Sequence, residues 1–299
     1  MSIVSDLSRW LAGGPVAFAE RCVRCASPSG LHRLAYTEWG EPENPNVLVC
    51  VHGLTRNGRD FDELARTLAA DYRVICPDVV GRGRSDWLRD SSGYSFPQYA
   101  SDMMVLLARL NVASVHWLGT SMGGLIGMWI ASQDDSPITR LVLNDVGPLI
   151  PVASLLRIAE YVGQAPKFDT YEDAEKYVRL VSQPFGPLSD TQWRHLTEFS
   201  LQRLPDGRLA MRYDPAIGEA FRQALSAGDI DLWPIYDRIR CPTLVVRGAE
   251  SDLLTRATLQ AMAMRGPRPQ TAEIAGVGHA PMFLDLQQIG IVRDFLLVV

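Results

Sequence analysis

Residues 119–123, Gly-Thr-Ser-Met-Gly, have the types and spacing of an activated serine nucleophile. An apolar run at 115–118 precedes them, and a run of small and apolar residues at 125–132 follows them. The pattern predicts a sharp strand-to-helix turn that raises the Ser121 hydroxyl above a sheet in a strained backbone conformation. Glycines at both ends of the segment would let the helix pack close to the strand. The alternative interpretation is an ordinary glycine-rich turn without a reactive hydroxyl.

A serine hydroxyl needs a base to take its proton, and His279 is the favoured base. It lies in a glycine-containing loop between the last predicted strand and the last predicted helix. Such a loop lies at the carboxyl end of a parallel sheet, on the same side as Ser121. The other histidines are assigned different places: His32 in an N-terminal hairpin, His116 as a structural residue within a strand, His195 in a segment without a fixed framework, and His52 in an early loop.

The imidazole needs a carboxylate that fixes its tautomer and stabilises its cation. Asp252 precedes His279 in the chain, follows the predicted strand at 243–246, and is the favoured acid. Glu250, two residues earlier, is a weaker alternative. Asp145 ends another predicted strand and is the second alternative, because its side chain could also face the site.

Acyl transfer also needs two donors aimed at the developing negative oxygen. One should be the backbone N–H of Met122, directly after the nucleophile. The other should be the N–H of Leu54, in the loop His52-Gly53-Leu54 that follows a buried apolar run. Gly53 would permit the close approach, and His52 is interpreted as a structural brace.

These residues must be positioned by a sheet, and the chain alternates strand-like and helix-like runs, which predicts a parallel sheet covered on both faces. The predicted strands are 18–26 and 31–38, joined as a hairpin, then 47–51, 73–76, 115–118, 141–143, 243–246 and 271–275. The predicted helices are 61–70, 99–110, 125–132, 258–264 and 281–297.

The alternation stops between about 147 and 234, where the sequence is helical, polar and broken by prolines. We predict a core of residues 1–146 and 235–299, with 147–234 as a helical cap inserted over the ends of the sheet. The cap contains five large aromatic residues, some of which would line an apolar pocket while most would be core: Phe168, Phe185, Trp193, Phe199 and Trp233.

The composition, 47% hydrophobic and 21% charged over 299 residues, fits a globular protein with a substantial core. A net charge of −5 without any Lys/Arg-rich run argues against nucleic-acid binding. No basic leader and no membrane-length apolar run is found, so a soluble cytoplasmic protein without a membrane partner is expected. The five scattered cysteines argue against a disulfide framework, and Cys22 and Cys25 should point to opposite faces of a strand.

Taken together, the segments 52–54 and 119–123 with Asp252 and His279 resemble the α/β-hydrolase superfamily, and the resemblance covers nearly the whole chain. The loop 78–85 also resembles the D-x-x-G-x-G-x-S loop of many members and is interpreted as structural. The resemblance implies the α/β-hydrolase fold, with a mostly parallel central sheet, helices on both faces and an inserted helical cap. It implies no cofactor and no metal.

The implied activity is that of a serine hydrolase that cleaves a carboxylic ester of a small to medium substrate through an acyl-enzyme. Epoxide hydrolases and haloalkane dehalogenases are disfavoured, because they carry an aspartate where this chain has Ser121. The same motifs leave open an enol-lactonase, a carbon–carbon bond hydrolase, a cofactor-free haloperoxidase or perhydrolase, and a ligand receptor with a slow triad. Among ester substrates, hydroxyalkanoate oligomers are one possibility. The sequence predicts no oligomeric state.

Overall fold

The computed structural model describes residues 18–225 and 228–297. The strands are β1 Phe18–Ser27, β2 Gly30–Trp39, β3 Val47–Val51, β4 Arg73–Pro77, β5 Val115–Thr120, β6 Ile138–Asn144, β7 Leu149–Ile150, β8 Lys167–Phe168, β9 Leu201–Arg203, β10 Leu209–Met211, β11 Ile230–Asp231, β12 Thr243–Gly248 and β13 Gln270–Ile274. The α-helices are α1 Asp62–Leu68, α2 Phe96–Leu110, α3 Met122–Ala131, α4 Val152–Ala159, α5 Tyr171–Val181, α6 Asp190–Ser200, α7 Ile217–Ala224, α8 Trp233–Tyr236, α9 Arg256–Met264 and α10 Leu286–Leu297.

Eight strands form the central sheet, in the order β1-β2-β4-β3-β5-β6-β12-β13. The six strands from β4 to β13 in this order run parallel, and β1 and β2 form an antiparallel hairpin at one edge. Ser27 pairs with Gly30 across the hairpin turn, as predicted. The prediction of a mostly parallel sheet is therefore confirmed.

Both faces of the sheet are covered, because alternate side chains of each buried strand point to opposite sides. Val49 and Trp117 pack in one hydrophobic cluster with α2 and α3. Leu48 and Leu118, from the same two strands, pack in the other cluster with α1 and α10. All five residues of β3 are buried, as expected for a strand with helices on both sides.

The described residues between β6 and β12 contribute no strand to the central sheet. They form α4 to α8 together with a three-stranded sheet, β8-β10-β9, and the two-stranded pair β11-β7. These short strands were not predicted, because runs of two or three residues are too short to show alternation. The division at residues 147 and 234 stays a prediction.

No helix within residues 18–225 and 228–297 is long and apolar enough to cross a membrane. Residues 1–17, in which a leader was sought, lie outside the described residues. In β1 the side chain of Cys22 is exposed and that of Cys25 is buried, so the predicted opposite orientation is confirmed.

Candidate active site

Ser121 lies between β5 and α3, at φ 51° and ψ −115°. A non-glycine residue with this backbone conformation is strained, and strain of this kind concentrates at functional sites. The Ser121 N–H donates to the carbonyl of Asn144 on β6, and Trp117 Nε1 donates to the carbonyl of Gly123, 3.0 Å away. The turn is thus held from both sides, and the predicted strand-to-helix turn is present.

The glycines around Ser121 are required by the contact between α3 and the sheet. A Cβ on Gly119 would lie 2.2 Å from the carbonyl oxygen of Gly123, and a Cβ on Gly123 would lie 2.0 Å from that of Val51. Backbone atoms cannot move away as a flexible side chain could. The helix therefore packs as closely as the sequence predicted, and only glycine fits at these two positions.

His279 lies in the loop between β13 and α10, with its Nε2 3.0 Å from Ser121 Oγ. This is hydrogen-bond distance for a nucleophile and its base. Asn144 supports the arrangement, because its Nδ2 bonds both Thr120 Oγ1, 2.9 Å away, and the carbonyl of Pro281, 2.8 Å away. One buried amide therefore ties the serine turn to the histidine loop. Sequence reasoning missed Asn144, although its place beside Asp145 at a strand end was a usable signal.

The carboxylate that contacts His279 belongs to Asp145. Its Oδ2 lies 2.7 Å from His279 Nδ1 and also accepts a hydrogen bond from Ser251 Oγ, 2.5 Å away. Its Oδ1 accepts the N–H of Gly248, 2.8 Å away. Asp145 is completely buried, so these three donors replace the solvation that the carboxylate loses.

The expectation that Asp252 would contact His279 is wrong. The Asp252 carboxylate turns instead to the guanidinium of Arg157, with Oδ2 2.7 Å from Nε and Oδ1 2.9 Å from Nη2. Burial raises the pKa of Asp252, but the hydrogen bond and charge of Arg157 outweigh it, and the net pKa lies below the ordinary value. Glu250, the weaker alternative, is exposed, and its N–H donates to the carbonyl of Val277.

The two predicted oxyanion donors lie beside Ser121. A Cβ on Gly53 would be 3.7 Å from Ser121 Cβ, which places the 52–54 loop against Ser121. Within the described part of the chain, no hydrogen-bond acceptor is found for the N–H of Leu54 or of Met122. Met122 also begins α3, so its N–H adds the partial positive charge of a helix N-terminus.

His52 connects the 52–54 loop to the loop that follows β4. Its Nε2 accepts the N–H of Val79, 2.9 Å away, so the proton is on Nδ1, which lies 2.7 Å from the carbonyl of Gly53. Burial lowers the pKa of His52 to about 3, against only a partial opposing effect of the hydrogen bond to Gly53. The imidazole is neutral and fully engaged, which supports its interpretation as a brace.

Arg82 is a buried cation that sequence reasoning did not single out, although it lies in the predicted structural loop 78–85. Its Nε donates to the carbonyl of Leu54, 2.8 Å away, and its Nη1 to that of Val80, 2.7 Å away. Nη2 lies 3.7 Å from the sulfur of Met122. Arg82 therefore contacts both residues predicted to supply the oxyanion donors.

A cavity that is open to solvent at its mouth lies over Ser121 and His279. The inserted segment forms most of its outer wall through these side chains: Arg157, Tyr161, Tyr177, Phe185 and Tyr213. Of the five aromatic residues named from the sequence, Phe185 lines this cavity. The others pack elsewhere: Phe168 against Tyr177, Trp193 against Leu196, Phe199 under Arg59, and Trp233 beside Arg265.

The remaining histidines have structural contacts, which the sequence analysis predicted for His116 but not for His195. His116 Nδ1 lies 2.8 Å from the hydroxyl of Tyr72, and His195 Nε2 lies 2.9 Å from the carbonyl of Arg59. His32 Nε2 lies 2.8 Å from Asp102, next to Cys25. These three groups could geometrically hold a metal ion, but His32 and Asp102 already bond each other, and burial raises the pKa of the Cys25 thiol to about 12. We therefore assign no metal to them.

A mostly parallel eight-stranded sheet with a hydroxyl, an imidazole and a carboxylate in hydrogen-bonded series at its carboxyl edge defines the class of α/β hydrolases. Residues 46–286 match the family model for the alpha/beta hydrolase fold, and the chain belongs to this family.

Among curated proteins, the chain is 50% identical over 280 residues to the 3-hydroxybutyrate-oligomer hydrolase of Cupriavidus necator, covering 91% of this chain and 96% of that protein. Among solved structures, it is similar to a Rickettsia typhi protein, with a TM-score of 0.86 and 32% identity over 94% of this chain and 98% of the other. An alpha/beta hydrolase from Novosphingobium aromaticivorans has a TM-score of 0.82 and 36% identity over 95% of this chain and 99% of the other.

Proposed function

We propose that this protein is a serine esterase that hydrolyses short oligomers of 3-hydroxybutyrate or a closely related hydroxyacid. The observation that carries the proposal is the hydrogen-bonded series Ser121, His279, Asp145, of which Ser121 and His279 line a cavity. The similarity to a 3-hydroxybutyrate-oligomer hydrolase over almost the full length of both proteins supports the substrate class.

In the proposed cycle, His279 Nε2 takes the proton of Ser121 as Oγ attacks the ester carbonyl. Asp145 keeps the proton of the neutral ring on Nδ1 and stabilises the imidazolium that forms. His279 then gives the captured proton to the departing alcohol, so that a hydroxyacid leaves and its acyl partner stays on Ser121. The same base activates a water that releases the second acid and restores the hydroxyl.

The negative oxygen of each tetrahedral intermediate would be held by the N–H groups of Leu54 and Met122. Such donors stabilise the transition state because they are fixed before the charge develops. Arg82 contacts both residues but is itself fully buried and does not line the cavity: Nε and Nη1 donate to the Leu54 and Val80 carbonyls, and Nη2 contacts the Met122 sulfur. We therefore treat Arg82 as a positioning residue.

The cavity suits a chain of alternating ester and hydrocarbon groups. Its wall combines apolar surface with the phenols of Tyr161, Tyr177 and Tyr213, and burial raises the pKa of each phenol. Phenols are protonated near neutral pH even at their ordinary pKa of about 10, so these groups can donate to ester carbonyls. We propose that the segment 147–234 acts as the predicted cap, which shapes this cavity over Ser121.

The test is hydrolysis of the purified 3-hydroxybutyrate dimer and trimer, followed by chromatographic measurement of the free hydroxyacid. Ser121→Ala should lower kcat by roughly 10³-fold or more, since it removes the nucleophile. Ser92→Ala, at an exposed serine away from the cavity, is the matched control. A fluorophosphonate should label the native protein at Ser121 and leave Ser121→Ala unlabelled.

A p-nitrophenyl ester series from acetate to laurate separates the two parts of the proposal. Ser121-dependent turnover of these esters with no cleavage of the dimer or trimer would reject the substrate and keep the mechanism. Full activity of Ser121→Ala would reject the mechanism. Saturable binding of the dimer without turnover of any ester would favour a receptor.

A further inference from the structure

Arg157 lines the cavity, and one of its guanidinium nitrogens has no partner among the described residues. Its Nε and Nη2 bond the carboxylate of Asp252, and within the described part of the chain Nη1 has no hydrogen-bond acceptor. The side chain lines the cavity that contains Ser121 and His279, and it is 37% exposed. A charged group in the cavity could therefore reach it.

In Arg56, the other arginine that lines the cavity, all three guanidinium nitrogens already donate hydrogen bonds. Arg56 donates from Nε and Nη2 to Asp60, at 2.8 and 2.5 Å, and from Nη1 to Ser200, at 2.7 Å. Its side chain is only 11% exposed. Of the two arginines, Arg157 is thus the more exposed and the one with a nitrogen that has no partner among the described residues.

Asp252 holds Arg157 ready for such a ligand. The bidentate contact fixes the plane of the guanidinium, and Ser154 Oγ donates to the Asp252 carbonyl, 2.8 Å away, which anchors α4 to the loop after β12. The Arg157 side chain is therefore already ordered before substrate binds, which lowers the conformational entropy lost on binding. A guanidinium held on one edge still offers its other edge to a second carboxylate, whose geometry it matches.

We propose that Arg157 is a specificity-determining residue that binds the free carboxylate at the end of the substrate; this inference rests on the proposed function. In a linear hydroxyacid oligomer, the terminal carboxylate lies on the alcohol side of every ester bond. An arginine that binds it in the same cavity as Ser121 brings the last ester of the chain to the nucleophile. The enzyme therefore removes single hydroxyacid units from the carboxyl end.

The experiment compares the 3-hydroxybutyrate dimer with the same dimer carrying a terminal primary amide, which is neutral and similar in shape. For the native protein, kcat/KM should be higher for the dimer with a free carboxylate than for the dimer with a terminal amide. Arg157→Gln should lower the ratio of acid to amide kcat/KM by about tenfold or more, mainly through the KM of the acid, because a charge-assisted hydrogen bond is lost. Arg157→Lys should keep part of the preference.

Two controls separate this effect from general damage. Arg194→Gln removes one positive charge from an exposed position on α6 and should leave the ratio at its native value. The double variant Arg157→Gln with Asp252→Asn removes both partners, so the Asp252 carboxylate is not left unpaired. It should lack the acid preference just as the single variant does.

Equal use of acid and amide by the native protein, or an unchanged ratio in Arg157→Gln, would overturn the inference while the proposed function stands. A loss of preference in Arg56→Gln but not in Arg157→Gln would overturn it as well. Failure of the native protein to cleave either dimer would instead reject the proposed function itself.

Discussion

Asp145 Oδ2 lies 2.7 Å from Nδ1 of His279, while the carboxylate of Asp252 is bound by Arg157. Both aspartates follow neighbouring parallel strands, β6 and β12, so both reach the same edge of the sheet. The difference between them lies in which partner each side chain meets.

We predict that Asp145→Asn lowers kcat for p-nitrophenyl acetate by about 10³- to 10⁴-fold, because an amide cannot hold the imidazole in the required tautomer. Asp252→Asn should lower kcat for this neutral ester far less, because the substitution removes a partner of Arg157 and not of His279. Steady-state kinetics of the two variants decide the question. A larger loss in Asp252→Asn than in Asp145→Asn would return the acid role to Asp252.

Arg82→Lys should lower kcat by about tenfold with a smaller change in KM, because a lysine cannot contact the Leu54 carbonyl and Met122 together. The loss should be below that of a deleted oxyanion donor, about 10²- to 10³-fold, since the donors themselves remain. Arg140→Lys is the matched control, because Arg140 donates to the Phe295 carbonyl and does not line the cavity. A pure KM effect in Arg82→Lys would contradict the positioning role.

Gly123→Ala should destabilise the fold by about 3 kcal/mol, because its Cβ would lie 2.0 Å from the carbonyl oxygen of Val51. Gly290→Ala, within α10, meets nothing within 4 Å and should instead stabilise by about 0.5 to 1 kcal/mol. Urea unfolding of both variants measures the contrast. Equal stabilities would show that α3 does not pack against β3 as described.

The free energy of unfolding should decrease as the pH decreases, and the protonation of His52 should contribute to this decrease. Burial lowers its folded pKa to about 3 from an ordinary 6.5, so between these values the unfolded chain binds more protons than the folded one. The His52 contribution is therefore complete above about pH 6.5 and is lost as the pH falls toward 3, by at most about 1.4 kcal/mol per pH unit.

Urea unfolding at several pH values, with His52→Gln as the comparison, measures this contribution. Glutamine can still accept the Val79 N–H but does not titrate, so the variant should be less stable near neutral pH and should show a shallower pH dependence. His116, whose pKa burial lowers to about 4, titrates in both proteins and cancels in the comparison. Identical slopes for the two proteins would contradict the prediction.

The sequence by itself determined the serine turn, the histidine loop and the sheet. Ser121 could be predicted because its neighbours Gly119 and Gly123 follow a local rule. Any side chain at these two positions would clash where one strand meets one helix. The place of His279 could be predicted because the loop that follows a parallel strand lies at the carboxyl edge of the sheet. The inserted segment was recognisable from the loss of alternation, but its short strands were not.

Only the tertiary structure decided which aspartate meets His279. Both follow adjacent strands, and the chain alone does not say where Ser251, Gly248 and Arg157 will stand. Asp145 is buried with three donors converging on it, whereas Asp252 is half-exposed and pairs with a cation from the inserted segment. Each carboxylate is oriented by the hydrogen-bond donors around it. Those donors come from parts of the chain about one hundred residues away.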